Sequence, residues 1–220
     1  DRPRARGARI VALDGDGDRV LMVDHTGQLV DGDQLLWILA SAWHDAGQLA
    51  GPVVGTLMSN LGLEVGLRKL GVDFRRAAVG DRYVLELLRE TGGRLGGESS
   101  GHLICLDKTT TGDGLVSALQ VLCVMKQSGR TLAELTAGMS RYPQKLVNVR
   151  VARKIDLKNA SPIQAAVARA EQQLGARGRV LLRASGTEPV VRVMVEGEDR
   201  DEVERLADEI ATCVRGAASA

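Results

Sequence analysis

Apolar positions along this chain follow two spacings, and the change from one to the other divides it into segments. Residues 10–13 and 20–23 are apolar runs of strand length on either side of the polar hexapeptide DGDGDR, which is therefore expected at a strand-to-strand turn. From Asp31 the spacing lengthens. Leu35, Leu36, Ile38, Leu39, Ala42 and Trp43 form a broad helical stripe, and Gly47 permits its stop. A strand over 52–57 leads to a helix that Ser59 is placed to cap and Gly71 to close. Residues 74–79 read as a strand and 83–89 as a helix with Val84, Leu87 and Leu88 inward. A turn-rich stretch, 92–101, then precedes a strand over 102–106. Asp113 is placed to cap a long helix carrying Leu115, Val116, Leu119, Leu122 and Cys123, and Thr131 with Glu134 has capping-box spacing for another short one. Strands alternating with such helices predict a mostly parallel sheet covered on both faces.

Near residues 141–143 the pattern changes again. Residues 145–151 alternate as a strand, and Ser161-Pro162 opens a helix with Ile163, Ala166, Val167, Ala170 and Leu174 on one side. Strands over 179–183 and 190–195 follow. Asp199 is then offered as the cap of a last helix that buries Val203, Leu206, Ala207, Ile210 and Val214. This βαββα order predicts two helices on one face of an antiparallel sheet. The expected fold is α/β: a mixed, mostly parallel α/β sheet domain followed by a smaller α+β domain. The expected division is 1–30, the tail of a preceding α/β domain, then 31–140 and 141–220.

Composition narrows the functional classes. A hydrophobic fraction of 44% over 220 residues supports real cores, but only 2% of residues are aromatic, so those cores rest on Leu, Val, Ile and Ala. Trp37 and Trp43 fit packing rather than a cofactor box. So few rings leave no stacking platform for single-stranded nucleic acid. The net charge of +1 comes from 29 basic and 28 acidic residues mixed along the chain and leaves no footprint for nucleic acid or an acidic membrane. Arg2, Arg4, Arg6 and Arg9 read as an exposed lead-in to the first strand. Cys105, Cys123 and Cys213 lack CxxC spacing and read as small core residues. No apolar run reaches membrane-spanning length and no signal-peptide core is present, so a soluble, cytoplasmic chain is expected.

Three polar loops carry candidate chemistry. Asp14, Asp16 and Asp18 are separated only by glycines, and alternate carboxylates on a tight turn can converge on one hard cation such as Mg²⁺. An EF-hand register fails, because Arg19 and His25 stand where Gly and Glu are required. A solvated hairpin turn explains the same residues on local chemistry alone. In RLGGESSGH (94–102), Glu98 accepts and Ser100 both donates and accepts, a pair suited to neighbouring sugar hydroxyls; an inert polar turn is the alternative. In RASGTEPVVR (183–192), the amides of Ser185, Gly186 and Thr187 can form an anion nest beside the guanidinium groups of Arg183 and Arg192. A plain turn closed by Pro189 is the competing reading.

In order and wording, these loops resemble the α-D-phosphohexomutase superfamily, whose members carry a DGDGDR metal loop, a GExSG sugar loop and an RxSGTEP phosphate loop. Within it, VGTLMSN (54–60), VGDRYV (79–84) and LDKTTTGDG (106–114) are similar to the bacterial phosphoglucosamine mutases. The resemblance spans nearly the whole chain. It implies interconversion of glucosamine 6-phosphate and glucosamine 1-phosphate through a phosphoserine and a bisphosphate, toward UDP-N-acetylglucosamine and the cell wall. By position it assigns Mg²⁺ to Asp14, Asp16 and Asp18, charge neutralisation to Arg19, and sugar hydroxyls to Glu98 and Ser100. The phosphate that is not reacting falls to Arg183, Ser185, Gly186, Thr187 and Arg192, and a supporting catalytic role to Asp81 and Arg82.

The resemblance also places the reacting serine on a first domain, and no serine here stands in such a loop; Ser59-Asn60 belongs to a different motif. The expectation is a chain that folds, binds phosphosugar weakly and does not turn over by itself. Phosphomannomutase or phosphoglucomutase chemistry stays open, as does a non-catalytic phosphosugar-binding module. An unpaired strand edge in 1–30 leaves association into a homo-oligomer open too.

Overall fold

The two apolar runs around DGDGDR pair antiparallel as Ile10–Leu13 (β1) and Val20–Val23 (β2), and Leu29–Val30 (β3) adds to the other side of β2. This computed structural model describes residues 10–151, 156, 157, 159–185 and 188–219. Arg2, Arg4, Arg6 and Arg9 lie outside them. Val20 and Met22 point into the core and are fully buried, whereas Ile10, Val11 and Leu13 are 54%, 42% and 46% exposed. β1 is thus the outer strand of its sheet and presents apolar side chains to solvent.

The turn from β2 to β3 is built on Asp24. Its Oδ1 accepts from the Thr26 amide at 2.8 Å, the Thr26 hydroxyl at 2.6 Å and the Gln28 amide at 3.0 Å. Burial pushes this carboxyl upward, but those bonds and the nearby His25 outweigh it and hold it below its ordinary value. A depressed carboxylate stabilises the fold above the unfolded-chain value of about 3.9, and that contribution disappears as pH falls through the folded-state value. Asp24→Ala is therefore expected to cost about 2 kcal/mol at pH 7. In thermal melts the gap to the parent chain should narrow below about pH 4.

A four-stranded sheet of order β5-β4-β6-β7 follows, from Val53–Thr56 (β4), Phe74–Ala77 (β5), Leu95–Gly97 (β6) and Leu103–Cys105 (β7). β4 runs parallel to β5 and β6, and β7 closes the sheet antiparallel to β6. Alternation along the strands feeds two cores. Val53, Leu103 and Cys105 pack with Gly32–Asp45 (α1), Leu61–Lys69 (α2) and Gly114–Ser128 (α4), while Val54, Ala77 and Ile104 pack with Val84 and Leu88 of Asp81–Thr91 (α3). The expected coverage on both faces is present. Burial pushes the Cys105 thiol up to about 12, so it behaves as a core residue, whereas Cys213 is half-buried and Cys123, on the solvent stripe of α4, is exposed rather than in the core as expected.

Two local expectations are corrected. Asn60, not Ser59, caps α2 by accepting from the Gly62 amide, whereas the fully buried Ser59 turns back and accepts from the Thr56 amide. Leu115, Leu119 and Leu122 of α4 face solvent, because smaller and branched side chains on the opposite stripe, Ala118, Val121 and Val124, fill the space beneath it. Asp113 does cap α4, and Thr131 with Glu134 forms the capping box of Leu132–Thr136 (α5).

The residues divide into two compact units, meeting between Ser140 and Arg141, and the β1–β3 sheet packs within the first of them. The second unit contains Gln144–Arg150 (β8), Ser161–Leu174 (α6), Gly178–Ala184 (β9), Val190–Gly197 (β10) and Arg200–Ser219 (α7). Its antiparallel sheet has the order β8-β10-β9, and Val149, Val191, Val193 and Val195 pack against α6 and α7. The Asp199 side chain accepts from the Glu202 amide at the start of α7. No helix among the described residues is long and apolar enough to cross a membrane.

Candidate active site

In the first unit the chain runs from β4 outward to β5 and then crosses to β6 on the other side of β4. Open α/β sheets bind ligands where such connections diverge, outside the carboxyl ends of the parallel strands. The turn-forming stretches 57–60, 78–80 and 98–101 leave those ends, and all three lie in motifs singled out from the sequence.

Glu98 begins a tight turn between β6 and β7. The Gly101 amide donates to the Glu98 carbonyl, and the Glu98 amide donates to the His102 carbonyl, both at 3.0 Å. Glu98 Oε1 accepts from the Gly80 amide at 3.0 Å, which brings the VGDRYV stretch to the GESSGH loop and leaves Oε2 for another donor. Ser100 is exposed at the tip. Asp81 is exposed at the start of α3. The Arg82 guanidinium stacks 4.6 Å from the Tyr83 ring centre and donates to its hydroxyl at 2.8 Å.

The first turn of α1 ties these loops together. Gly32 donates to the Ser99 carbonyl at 3.1 Å, and the Asn60 amide donates to Asp33 at 2.8 Å. A Cβ on Gly32 would stand 2.0 Å from the Glu98 carbonyl oxygen, so only glycine permits this approach.

The DGDGDR turn docks on the same place. Arg19 pairs antiparallel with His102, the Val20 amide donates to the Gly101 carbonyl, and the Gly114 amide donates to the Gly17 carbonyl. Asp18 Oδ2 lies 3.1 Å from His102 Nδ1. A carboxylate oxygen accepts, so Nδ1 is the donor of this contact. Nε2 is buried and unbonded, with the imidazole laid against Gly112, where a Cβ would stand 2.0 Å away. His102 is the residue that sequence reasoning missed. Its partner is 84 positions away, so the GESSGH string alone offered only its nearness to Glu98.

Asp14 accepts from the Arg19 amide at 3.3 Å, and the Arg19 Nε lies 3.7 Å from its other oxygen. Partial desolvation acts to raise the Asp14 carboxyl, but the Arg19 amide, Asp18, the Gly17 amide and the Arg19 charge together hold it below the ordinary range. Among the described residues, no three His, Cys, Asp or Glu side chains are gathered to hold a metal ion. The oxygen-only donors of Asp14, Asp16 and Asp18 nonetheless suit Mg²⁺. Asp18 Oδ1, buried and without a hydrogen-bond partner, is an acceptor that such a cation would satisfy.

The RASGTEPVVR residues belong to the second unit. Arg183 of β9 stands directly opposite Arg192 of β10, and Arg192 makes an exposed 3.4 Å ion pair with Glu188. The Ser185 amide donates to the Val190 carbonyl at 2.8 Å, closing the base of the turn, and the Ser185 hydroxyl accepts from the Glu188 amide. Gly186 and Thr187 lie outside the described residues.

Residues 31–142 match the family model of phosphoglucomutase/phosphomannomutase, alpha/beta/alpha domain III, and residues 146–212 match that of the phosphoglucomutase/phosphomannomutase C-terminal domain. The phosphoglucosamine mutase of Methylococcus capsulatus is 60% identical over 210 residues, covering 96% of this chain and 47% of the relative. That of Alkalilimnicola ehrlichii is 62% identical over 207 residues, covering 94% and 46%. In fold, the chain is similar to the crystal structure of Aspergillus fumigatus N-acetylphosphoglucosamine mutase in complex with GlcNAc-6P and magnesium. The TM-score is 0.80 at 24% identity, over 97% of this chain and 53% of that one. The chain thus spans about half the length of the curated relatives it matches. With the domain III match alone covering half of its residues, and the C-terminal match following directly, the chain belongs to the phosphoglucomutase/phosphomannomutase family.

Proposed function

We propose that these residues form the sugar- and phosphate-recognising part of a cytoplasmic phosphoglucosamine mutase. That enzyme interconverts glucosamine 6-phosphate and glucosamine 1-phosphate through a phosphoserine and a bisphosphate, in the supply of UDP-N-acetylglucosamine. The observation that carries the reading is the docking of DGDGDR on GESSGH, with Asp18 against His102 and Arg19 paired beside it. Relatives at about 60% identity bearing that name support the choice of amino sugar.

In this reading Glu98 Oε2 and the Ser100 hydroxyl bind adjacent sugar hydroxyls, with Gly80 fixing the Glu98 rotamer from behind. Asp81 and Arg82 flank the same loop. Asp14, Asp16 and Asp18 hold Mg²⁺, which when bound draws charge from a phosphoryl oxygen. Arg19 neutralises charge developing there. His102, held by Asp18 and packed against Gly112, is a positioning residue that fixes the DGDGDR turn beneath the sugar loop. Arg183, Ser185, Gly186, Thr187 and Arg192 bind the phosphate that does not react. The phosphoryl-donating serine lies outside these 220 residues.

Calorimetry with glucosamine 6-phosphate, glucose 6-phosphate, mannose 6-phosphate and inorganic phosphate, in Mg²⁺ buffer, tests the reading. Glucosamine 6-phosphate should bind most tightly, and the purified chain should show no mutase turnover. Preference for mannose or glucose 6-phosphate would move the assignment to phosphomannomutase or phosphoglucomutase. Turnover by the purified chain would place the phosphoryl donor among these residues.

A further inference from the structure

Strand register in the second unit extends the phosphate loop to a strand not yet given a role. Asn148 of β8 stands directly opposite Arg192 of β10, which stands directly opposite Arg183 of β9. Val147 and Val149 pack toward the helices, as do Val191, Val193 and Leu182, so Asn148, Arg150, Arg192 and Arg183 share the other face. Directly opposed residues hold their Cβ atoms about 4.5–5.5 Å apart, which makes Asn148, Arg192 and Arg183 one continuous row. Arg150 lies two positions along β8, diagonal to Arg192. It stands next to the phosphate turn, because the Val151 amide donates to the Pro189 carbonyl at 2.9 Å. Asn148 and Arg150 are both exposed. Farther from the turn the same face becomes apolar, with Leu146 and Leu181 on either side of Met194. At the far end of the same face Arg179 is paired with Glu196 at 2.8 Å, whereas Arg150, Arg192 and Arg183 cluster at the end that carries the turn.

We propose that β8 supplies a third side to the phosphate site: Arg150 as a further guanidinium for a sugar phosphate monoester, and Asn148 as an amide donor in line with Arg192 and Arg183. This rests on reading RASGTEPVVR as a phosphate loop. Three arginines on the sheet face beside one turn, with Glu188 paired to one of them, suit a dianionic ester better than a single pair does. Asn148 contributes a neutral donor that keeps Arg192 and the ester in register.

The test is an NMR-monitored titration of the whole chain with inorganic phosphate and with glucosamine 6-phosphate. The substitutions are Arg150→Ala, Asn148→Ala, Arg192→Ala and, on the exposed side of α6, Arg169→Ala as a charge control. Affinity is expected to fall about tenfold for Arg150→Ala and about threefold for Asn148→Ala, with the control within about twofold. If Arg192→Ala weakens binding while Arg150→Ala and Asn148→Ala do not, the role of β8 is refuted and the phosphate loop stands. If Arg192→Ala also leaves affinity unchanged, the phosphate-loop reading falls with it. Losses in the control matching that of Arg150→Ala would reduce the effect to net charge and overturn the proposal.

Discussion

Gly101→Ala is expected to lower the stability of the first unit by about 3 kcal/mol or more, or roughly 10 °C in its melting midpoint. Two causes add. Gly101 has φ +96°, a backbone region that a Cβ disfavours, and that Cβ would stand 2.2 Å from the Val20 carbonyl oxygen and 2.9 Å from its carbon. Neither neighbour can give way. The Val20 amide is bonded to the Gly101 carbonyl, while the Gly101 amide closes the Glu98 turn. The substitution therefore drives the DGDGDR turn away from the GESSGH turn. Gly47→Ala separates the two causes: its φ is +67° but nothing lies within 4 Å of the added Cβ. It should lose only about 1 kcal/mol. Calorimetric melts showing equal losses for the two variants would mean that the loops are not held together as described.

Glu98→Gln is expected to weaken glucosamine 6-phosphate binding about tenfold or more while leaving inorganic phosphate unaffected. The carboxylate accepts from the Gly80 amide with Oε1, and the substituted amide can still do so through its oxygen. What is lost is the second acceptor, replaced by an NH₂ donor, at the position read as meeting a sugar hydroxyl. Arg183→Ala should do the reverse in kind, weakening both ligands, since its guanidinium serves the ester. Isothermal titration separates the two patterns. Parallel losses for phosphate and sugar phosphate on Glu98→Gln would place Glu98 outside sugar recognition.

Much of this was legible locally. Asp113 and the Thr131–Glu134 pair announce their helices because a cap needs only a residue and the amides that follow it. The three polar loops are likewise short strings whose chemistry is complete within a few residues. Features that depend on partners were not legible. Strand β6 is Leu-Gly-Gly, a weak strand signal, and its glycines are required by neighbours distant in sequence: a Cβ on Gly96 would meet the Val54 carbonyl oxygen at 2.8 Å and Val84 at 2.9 Å. Leu115, Leu119 and Leu122 form a helical stripe that reads the same facing in or out, and the stripe of Ala118, Val121 and Val124 takes the core. The tie between Asp18 and His102 joins two motifs that read separately, and neither hints at the other. Ser59 and Asn60 are adjacent capping types, and only the buried hydroxyl's bond to Thr56 decides between them.

The central claim is that the GESSGH loop of the first unit recognises the hydroxyls of a phosphosugar. Its most direct test is a residue-resolved ¹H–¹⁵N titration with glucosamine 6-phosphate in Mg²⁺ buffer. The account predicts that amides of residues 98–102 shift along a saturation curve with glucosamine 6-phosphate and stay in place with inorganic phosphate. Residues 98–102 unmoved at saturation, or moved equally by inorganic phosphate, would contradict it.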